Sequence, residues 1–314
     1  MFKVNSRFVF ALILPLLIRS NPAFAQLSDT ARWTSTLHMD YRITPNITYL
    51  KANNVELKLD VYAPRNVEEP VPTLIYFHGG GWTGHVKEEN VLRLLPYLEM
   101  GWAAVNVEYR LANVSHAPAA VEDCLCALRW VIQNANRYGF DAKKLVVSGH
   151  SAGGHLALTT GMIPASAGLD HQCPGNEELN VAAIVNWYGI TDVGDLLEGE
   201  NRKFYAVQWI GSITDRMEIA ERVSPLNYVR SDLPPILTIH GDPDPIVPYS
   251  HALQLHQALE QAEVPNELIT IPGGNHGDFS RNEMLRIYST IKQFLNTHIG
   301  VESRTVENSA TSPE

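Results

Sequence analysis

The sequence predicts an α/β protein, a mostly parallel sheet with helices on both faces. Three observations carry this. From Val71 onward, short apolar runs of strand length alternate with longer runs of helical period. One strand, Lys144 to Ser148, runs through a Gly-rich turn straight into the helix-prone run His155 to Leu158. The groups able to carry chemistry fall directly after strands, at the carboxyl edge where such sheets place their ligands.

The elements follow in order. Asn46–Leu50 and Val55–Tyr62 alternate apolar and polar residues, as antiparallel edge strands do, and Pro64 ends the second. Val71–Phe77 reads as a buried strand. Glu88–Met100 is a helix closed by Gly101, and Trp102–Val107 is a strand. Ala119–Tyr138 is a long helix with Val121, Cys124, Leu125, Leu128, Ile132 and Ala135 at helical spacing, stopped by Gly139. Val181–Trp187, Pro235–His240 and Glu267–Ile271 are further strands. Ser250–Ala262 and Asn282–His298 are the last helices. Residues 190–230 interrupt the alternation and read as a partly helical lid or pocket wall.

Residues 1–25 stand apart. Lys3 and Arg7 precede an apolar run from Phe8 to Ile18, and Ala23-Phe24-Ala25 has the A-x-A form of a cleavage site. This predicts a secretory signal peptide, a secreted or periplasmic location and no membrane anchor in the mature form. The catalytic domain is expected over residues 26–300 and a disordered tail over residues 301–314. Losing Lys3, Arg7 and Arg19 takes the formal charge of the 314-residue chain from −10 to −13. An acidic surface argues against nucleic acid as a partner. Cys124 and Cys126 lie two apart on one helix and should not pair with each other. Cys173 could bridge to either of them, or all three could be free thiols. No C-x-x-C or H-E-x-x-H is present, so no metal and no cofactor are expected. Asn46 and Asn113 sit in glycosylation sequons, read as chance matches.

Gly149-His150-Ser151-Ala152-Gly153 places a serine at the apex of a strand–turn–helix. Small residues two positions either side let strand and helix pass closely, and the helix N-terminus faces the serine oxygen. Ser151 is the predicted nucleophile. After Val71–Phe77 comes His78-Gly79-Gly80-Gly81-Trp82. Its uncovered N–H groups suit an oxyanion hole made by Gly79, Gly80 and Ala152. No G-K-S/T follows, which removes the phosphate-loop reading. Trp82 lines the pocket or packs, and His150 shapes the pocket; both are candidate substrate-binding residues. Asp242 and Asp244 both follow a strand, and Pro243 and Pro245 rigidify the loop around Asp244, which is favoured. Asp192 is a third candidate. His276, between Asn275 and Gly277 after the last strand, is the predicted general base. The order Ser, Asp, His completes a triad. Arg110 reads as structural.

These residues resemble the α/β-hydrolase superfamily, specifically the hormone-sensitive-lipase-like esterases. HGGGW, EYRL, GHSAGGHLA, HGDPDPIVP and NHGDF stand in the family order over roughly residues 45 to 299. The resemblance implies the α/β-hydrolase fold, eight strands with a short lid insertion between the sixth and seventh, and a triad acid at Asp244. Two departures, His150 where relatives carry Asp and a short N-terminal region, resemble the bacterial feruloyl-esterase-like branch. That branch implies a secreted serine carboxylesterase acting on small-molecule or polysaccharide-linked esters, including feruloyl or acetyl esters of plant polysaccharide. A prolyl-oligopeptidase-type serine peptidase and a non-catalytic binding module are the alternatives. The first normally brings a large extra domain, and the second a lost triad residue.

Overall fold

In a computed structural model, residues 28–65 and 67–300 are described. The expected signal peptide up to residue 25 and the expected tail lie outside them. The eight strands are β1 (Tyr41–Ala52), β2 (Val55–Pro64), β3 (Val71–Phe77), β4 (Ala103–Val107), β5 (Phe140–His150), β6 (Ala183–Trp187), β7 (Ile236–Gly241) and β8 (Asn266–Ile271). They form one sheet in the order β1-β2-β4-β3-β5-β6-β7-β8. β2 is antiparallel to β1 and β4, and the remaining pairs are parallel. The central strands β4 and β6 are buried along their whole length, so they are apolar runs rather than alternating ones. This is the α/β-hydrolase fold.

The helices are α1 (Asp29–Asp40), α2 (Val91–Glu99), α3 (Ala119–Gln133), α4 (Ala135–Tyr138), α5 (Ala152–Met162), α6 (Phe204–Ile210), α7 (Arg216–Arg222), α8 (Ser250–Gln261) and α9 (Arg281–Ile299). α1 was not anticipated; its sequence, mostly polar, carries no strong apolar stripe. α2 begins three residues later than expected because Lys87–Asn90 forms a 3₁₀ turn. That turn lets the buried Lys87 ammonium reach Asp60 at 2.8 Å. The long helix predicted to Tyr138 breaks at Asn134, whose amide donates to the Trp130 carbonyl at 2.9 Å. Gly139, in the left-handed region at φ 73, caps the short α4 that follows. α9 opens on a full capping box between Ser280 and Glu283. Residues 188–235 leave the sheet between β6 and β7 and carry α6 and α7, the expected insertion.

The open question of the cysteines resolves to a Cys126–Cys173 disulfide, with Cys124 a buried free thiol. The bridge ties the 164–182 connection to α3. Arg129 reinforces it with an ion pair to Asp170 at 2.6 Å.

Candidate active site

β5 enters the turn and α5 leaves it, so closely that glycine is the only residue that fits. A Cβ on Gly153 would lie 2.1 Å from the Phe77 carbonyl oxygen, and one on Gly149 2.3 Å from that of Gly153. Between them Ser151 sits at φ 57, ψ −122, a left-handed conformation that costs an ordinary residue about 1–3 kcal/mol. Two hydrogen bonds hold it there. The Ser151 N–H donates to the Trp187 carbonyl at 2.9 Å, and the Ser151 carbonyl accepts from His155 N–H at 3.0 Å. Strain stored at a serine on a strand–helix apex points its hydroxyl out of the sheet edge, where the helix dipole favours negative charge.

Asp244 and His276 are brought into contact from the ends of β7 and β8. His276 Nδ1–H donates to Asp244 Oδ2 at 2.7 Å. The other oxygen, Oδ1, accepts the N–H groups of Ile246 at 2.8 Å and Val247 at 3.1 Å. His240 Nε2 lies 3.3 Å from Oδ2. Burial alone would push the Asp244 carboxyl up, but hydrogen bonds from His240 and His276 with the backbone donors hold it well below the usual carboxylate range. The carboxylate is therefore ionised and fixed, able to orient an imidazole. Asp242 is instead a turn group, accepting the Gly273 N–H at 2.8 Å. Asp192 caps the start of the insertion through Asp195 N–H at 3.2 Å. Neither reaches His276.

The loop after β3 approaches the same edge. Gly80, at φ 111, turns its carbonyl to accept from Thr83 and Gly84, at 3.0 and 3.2 Å. A Cβ on Gly79 would lie 2.7 Å from His150 Nε2. The loop rests on His78, stacked on Tyr109 at 4.2 Å and donating from Nδ1 to the Gly79 carbonyl at 2.7 Å. Burial pushes His78 down to about 4, so it is neutral at pH 7. The Ala152 N–H opens α5 and has no acceptor within its own helix.

The two candidate substrate contacts separate. His150 is half-buried and receives the Tyr76 hydroxyl at Nδ1 at 2.9 Å. Burial and the nearby Arg93 charge push its pKa well down. Trp82 is not a pocket wall. It is 0% exposed, stacked on Trp209 of α6 at 4.0 Å and met edge-on by His155 at 4.9 Å. The aromatic after the glycines anchors the insertion to the loop that follows β3. Arg110 is structural, forked onto the buried Asp123 at 2.7–3.0 Å. A cavity of about 940 Å³ beside the disulfide, lined by Arg129, Asp170 and Glu177 among others, contains none of the predicted site residues.

Sequence reasoning passed over His240, Tyr188 and Arg93. Tyr188 packs on His276 with ring centres 4.6 Å apart, and the Arg93 charge acts on its hydroxyl. Tyr188 directly follows β6, so the strand-end rule applied to Trp187-Tyr188 would have found it.

The family model BD-FAE matches residues 59–259. Esterase LipC of Mycobacterium tuberculosis is 28% identical over 228 residues, covering 70% of this chain and 56% of LipC. The chain spans about half the length of the curated relatives it matches. A truncated carbohydrate esterase from gut microbiota superposes with TM-score 0.70 at 25% identity, over 82% of this chain and 98% of that one. Esterase 2 of Thermogutta terrifontis, with propionate bound, gives TM-score 0.68 at 27% identity over 83% and 95%. The same esterase is known phosphoramylated by tabun, with TM-score 0.68 at 25% identity over 83% and 96%. With more than half its length under the family model, the chain belongs to the BD-FAE family of α/β-hydrolases.

Proposed function

We propose that the protein is a serine carboxylesterase working through an acyl-Ser151 intermediate. One observation carries the reading: a serine held at φ 57 on the β5–α5 apex shares its sheet edge with a 2.7 Å Asp244–His276 pair. Ser151 Oγ attacks the ester carbonyl carbon as its proton passes to His276 Nε2. The N–H groups of Gly79, Gly80 and Ala152 take the charge that develops on the carbonyl oxygen. His276 returns the proton to the departing alcohol. Water then gives a proton to His276 and attacks the acyl carbon, releasing the acid as Ser151 regains its hydrogen. Asp244 keeps Nδ1 protonated throughout, so that Nε2 is the accepting nitrogen.

The substrate class proposed is an acetyl or feruloyl ester, small or linked to plant polysaccharide. The carbohydrate esterase and the propionate-bound esterase among its structural neighbours support a carbohydrate-borne alcohol and a short acyl group. Export is proposed with it. The basic and apolar start of the sequence supports this, as does the Cys126–Cys173 bridge, a bond that persists in oxidising compartments.

The test sets p-nitrophenyl acetate, butyrate and octanoate beside methyl ferulate and acetylated xylan, with Ser151→Ala as control. The alanine variant should lose on the order of 10⁶-fold in kcat. Retention of most activity would remove Ser151 from the mechanism. Turnover of aryl esters alone would remove the polysaccharide.

A further inference from the structure

Tyr188 occupies a place where a tyrosine is expensive. Its φ is 39, in the left-handed region that Gly and Asn adopt and that strains a bulky residue. The Tyr188 N–H fixes this conformation by donating to the Ile239 carbonyl at 2.7 Å. The residue just before it, Trp187, supplies the carbonyl that holds the Ser151 N–H. The backbone at 187–188 thus sits between the nucleophile's turn and β7, which delivers Asp244.

The side chain, 2% exposed, reaches the base. Its ring centre is 4.6 Å from that of His276, with the planes tilted by 58°. Phe279 and His150 meet the same ring edge-on at 6.0 and 6.3 Å. The Arg93 charge, from α2, acts on the hydroxyl. The hydroxyl also lies so near Gly277, the residue after the base, that a Cβ there would come within 2.6 Å of it. The part of the loop that carries His276 therefore packs against this side chain, while Asp242 holds its start at Gly273. Glycines at 273, 274 and 277 give that loop little stiffness of its own. The Asp244 hydrogen bond pins the imidazole at Nδ1 alone and leaves the ring free to turn about that contact.

We propose that Tyr188 is a positioning residue for His276: its ring bars the imidazole from turning off Asp244 and faces the imidazolium that forms when Ser151 gives up its proton. This rests on the esterase reading above. A side chain that only filled space would not need an aromatic face here, and the strained backbone would be better served by another residue. An aromatic face beside a forming cation stabilises it, and a misplaced base costs up to about 10²-fold in rate.

The test uses three variants of the full chain, with kcat and KM on p-nitrophenyl acetate and urea midpoints measured together. Tyr188→Asn suits the backbone and removes the ring; kcat should fall about 10²-fold with KM within about threefold. Tyr188→Met keeps most of the bulk without an aromatic face, and kcat should fall at least about 10-fold. Tyr188→Phe keeps the ring and should restore kcat to within about fivefold of wild type. Should the Asn variant not fold, the Met–Phe comparison decides. A folded Asn or Met variant with kcat within threefold of wild type overturns the proposal, as does a Phe variant that falls as far as Met. Inactivity of the wild type, or full activity in Ser151→Ala, would instead overturn the esterase reading.

Discussion

Replacing Asp244 by asparagine tests the site most sharply, because the surrounding donors dictate how the new amide must sit. Oδ1 accepts two backbone N–H groups, from Ile246 at 2.8 Å and Val247 at 3.1 Å. An amide nitrogen there would face two donors, so the amide oxygen takes that place and the NH₂ group takes the place of Oδ2. There it confronts His276 Nδ1, 2.7 Å away in the native protein. A donor facing Nδ1 forces the imidazole to carry its proton on Nε2, where it cannot accept from Ser151. The wrong tautomer is thus selected by Ile246 and Val247. The variant also loses the carboxylate's attraction for the imidazolium. Two unit charges about 4 Å apart at an effective dielectric constant near 20 interact by about 4 kcal/mol. At 1.36 kcal/mol per decade that is about 10³-fold in rate, and the tautomer shift carries the expected loss to about 10⁴-fold. The assay is kcat on p-nitrophenyl acetate at pH 7.5, with Asp242→Asn as comparison. Asp242 serves only the Gly273 turn, so its variant should stay within a few fold of wild type. An Asp244→Asn enzyme retaining a tenth of wild-type kcat would refute the reasoning. So would an Asp242 variant as damaged as the Asp244 one.

Two further predictions concern stability. Burial holds His78 and His155 each down to about 4, against about 6.5 in an unfolded chain. Below pH 6.5 the unfolded state binds protons that these histidines refuse in the folded state. Their contribution is complete above that pH and is lost progressively down to about pH 4, by roughly 3 kcal/mol each. Urea midpoints at pH 7, 5.5 and 4.5 should decline in step, and a flat series would contradict the buried neutral histidines. The Cys126–Cys173 bridge joins residues 47 apart, for which chain entropy gives about 4 kcal/mol of stabilisation. Cys126→Ser should lower Tm by roughly 10 °C while leaving kcat near wild type. A Tm unchanged in calorimetry would mean that the bond does not form.

The sheet was legible because β3, β4 and β7 are short apolar runs bounded by Gly, Pro or charged residues. Such punctuation records backbone geometry, and geometry is what defines a strand end. The same reason made Ser151, Asp244 and His276 legible: Gly149 and Gly153, Pro243 and Pro245, and Gly273, Gly274 and Gly277 mark turns that present them. Element ends read poorly where side chains decided them. Asn134 breaks a helix through its own amide, and Lys87 trades a turn of α-helix for a buried contact with Asp60. Trp82 stayed open between pocket wall and packing because the residue covering it, Trp209, lies far along the chain on α6, and no local pattern records that stack.

Tyr188 illustrates a different limit. It satisfies the strand-end rule as fully as Asp244 does, since it directly follows β6. What it lacks is a residue type that belongs to a Ser-Asp-His triad: it is neither a serine, a carboxylate nor an imidazole. Its role is visible only when the ring is seen against His276 and the backbone at φ 39. A sequence scan for reactive groups finds those that exchange protons and electrons, because few residue types can. The groups that hold them in place can be almost any type, so they are identified by contact and by strain. Ser151 and Tyr188 both hold left-handed backbone at neighbouring strand ends, joined through the Trp187 carbonyl. Strain at two linked positions is hard to keep unless the surrounding hydrogen bonds over-determine both, which the Trp187, His155 and Ile239 contacts do. The carboxyl edge of β5, β6 and β7 is therefore one preorganised unit, and a change at Tyr188 should be felt at the serine as well as at the base.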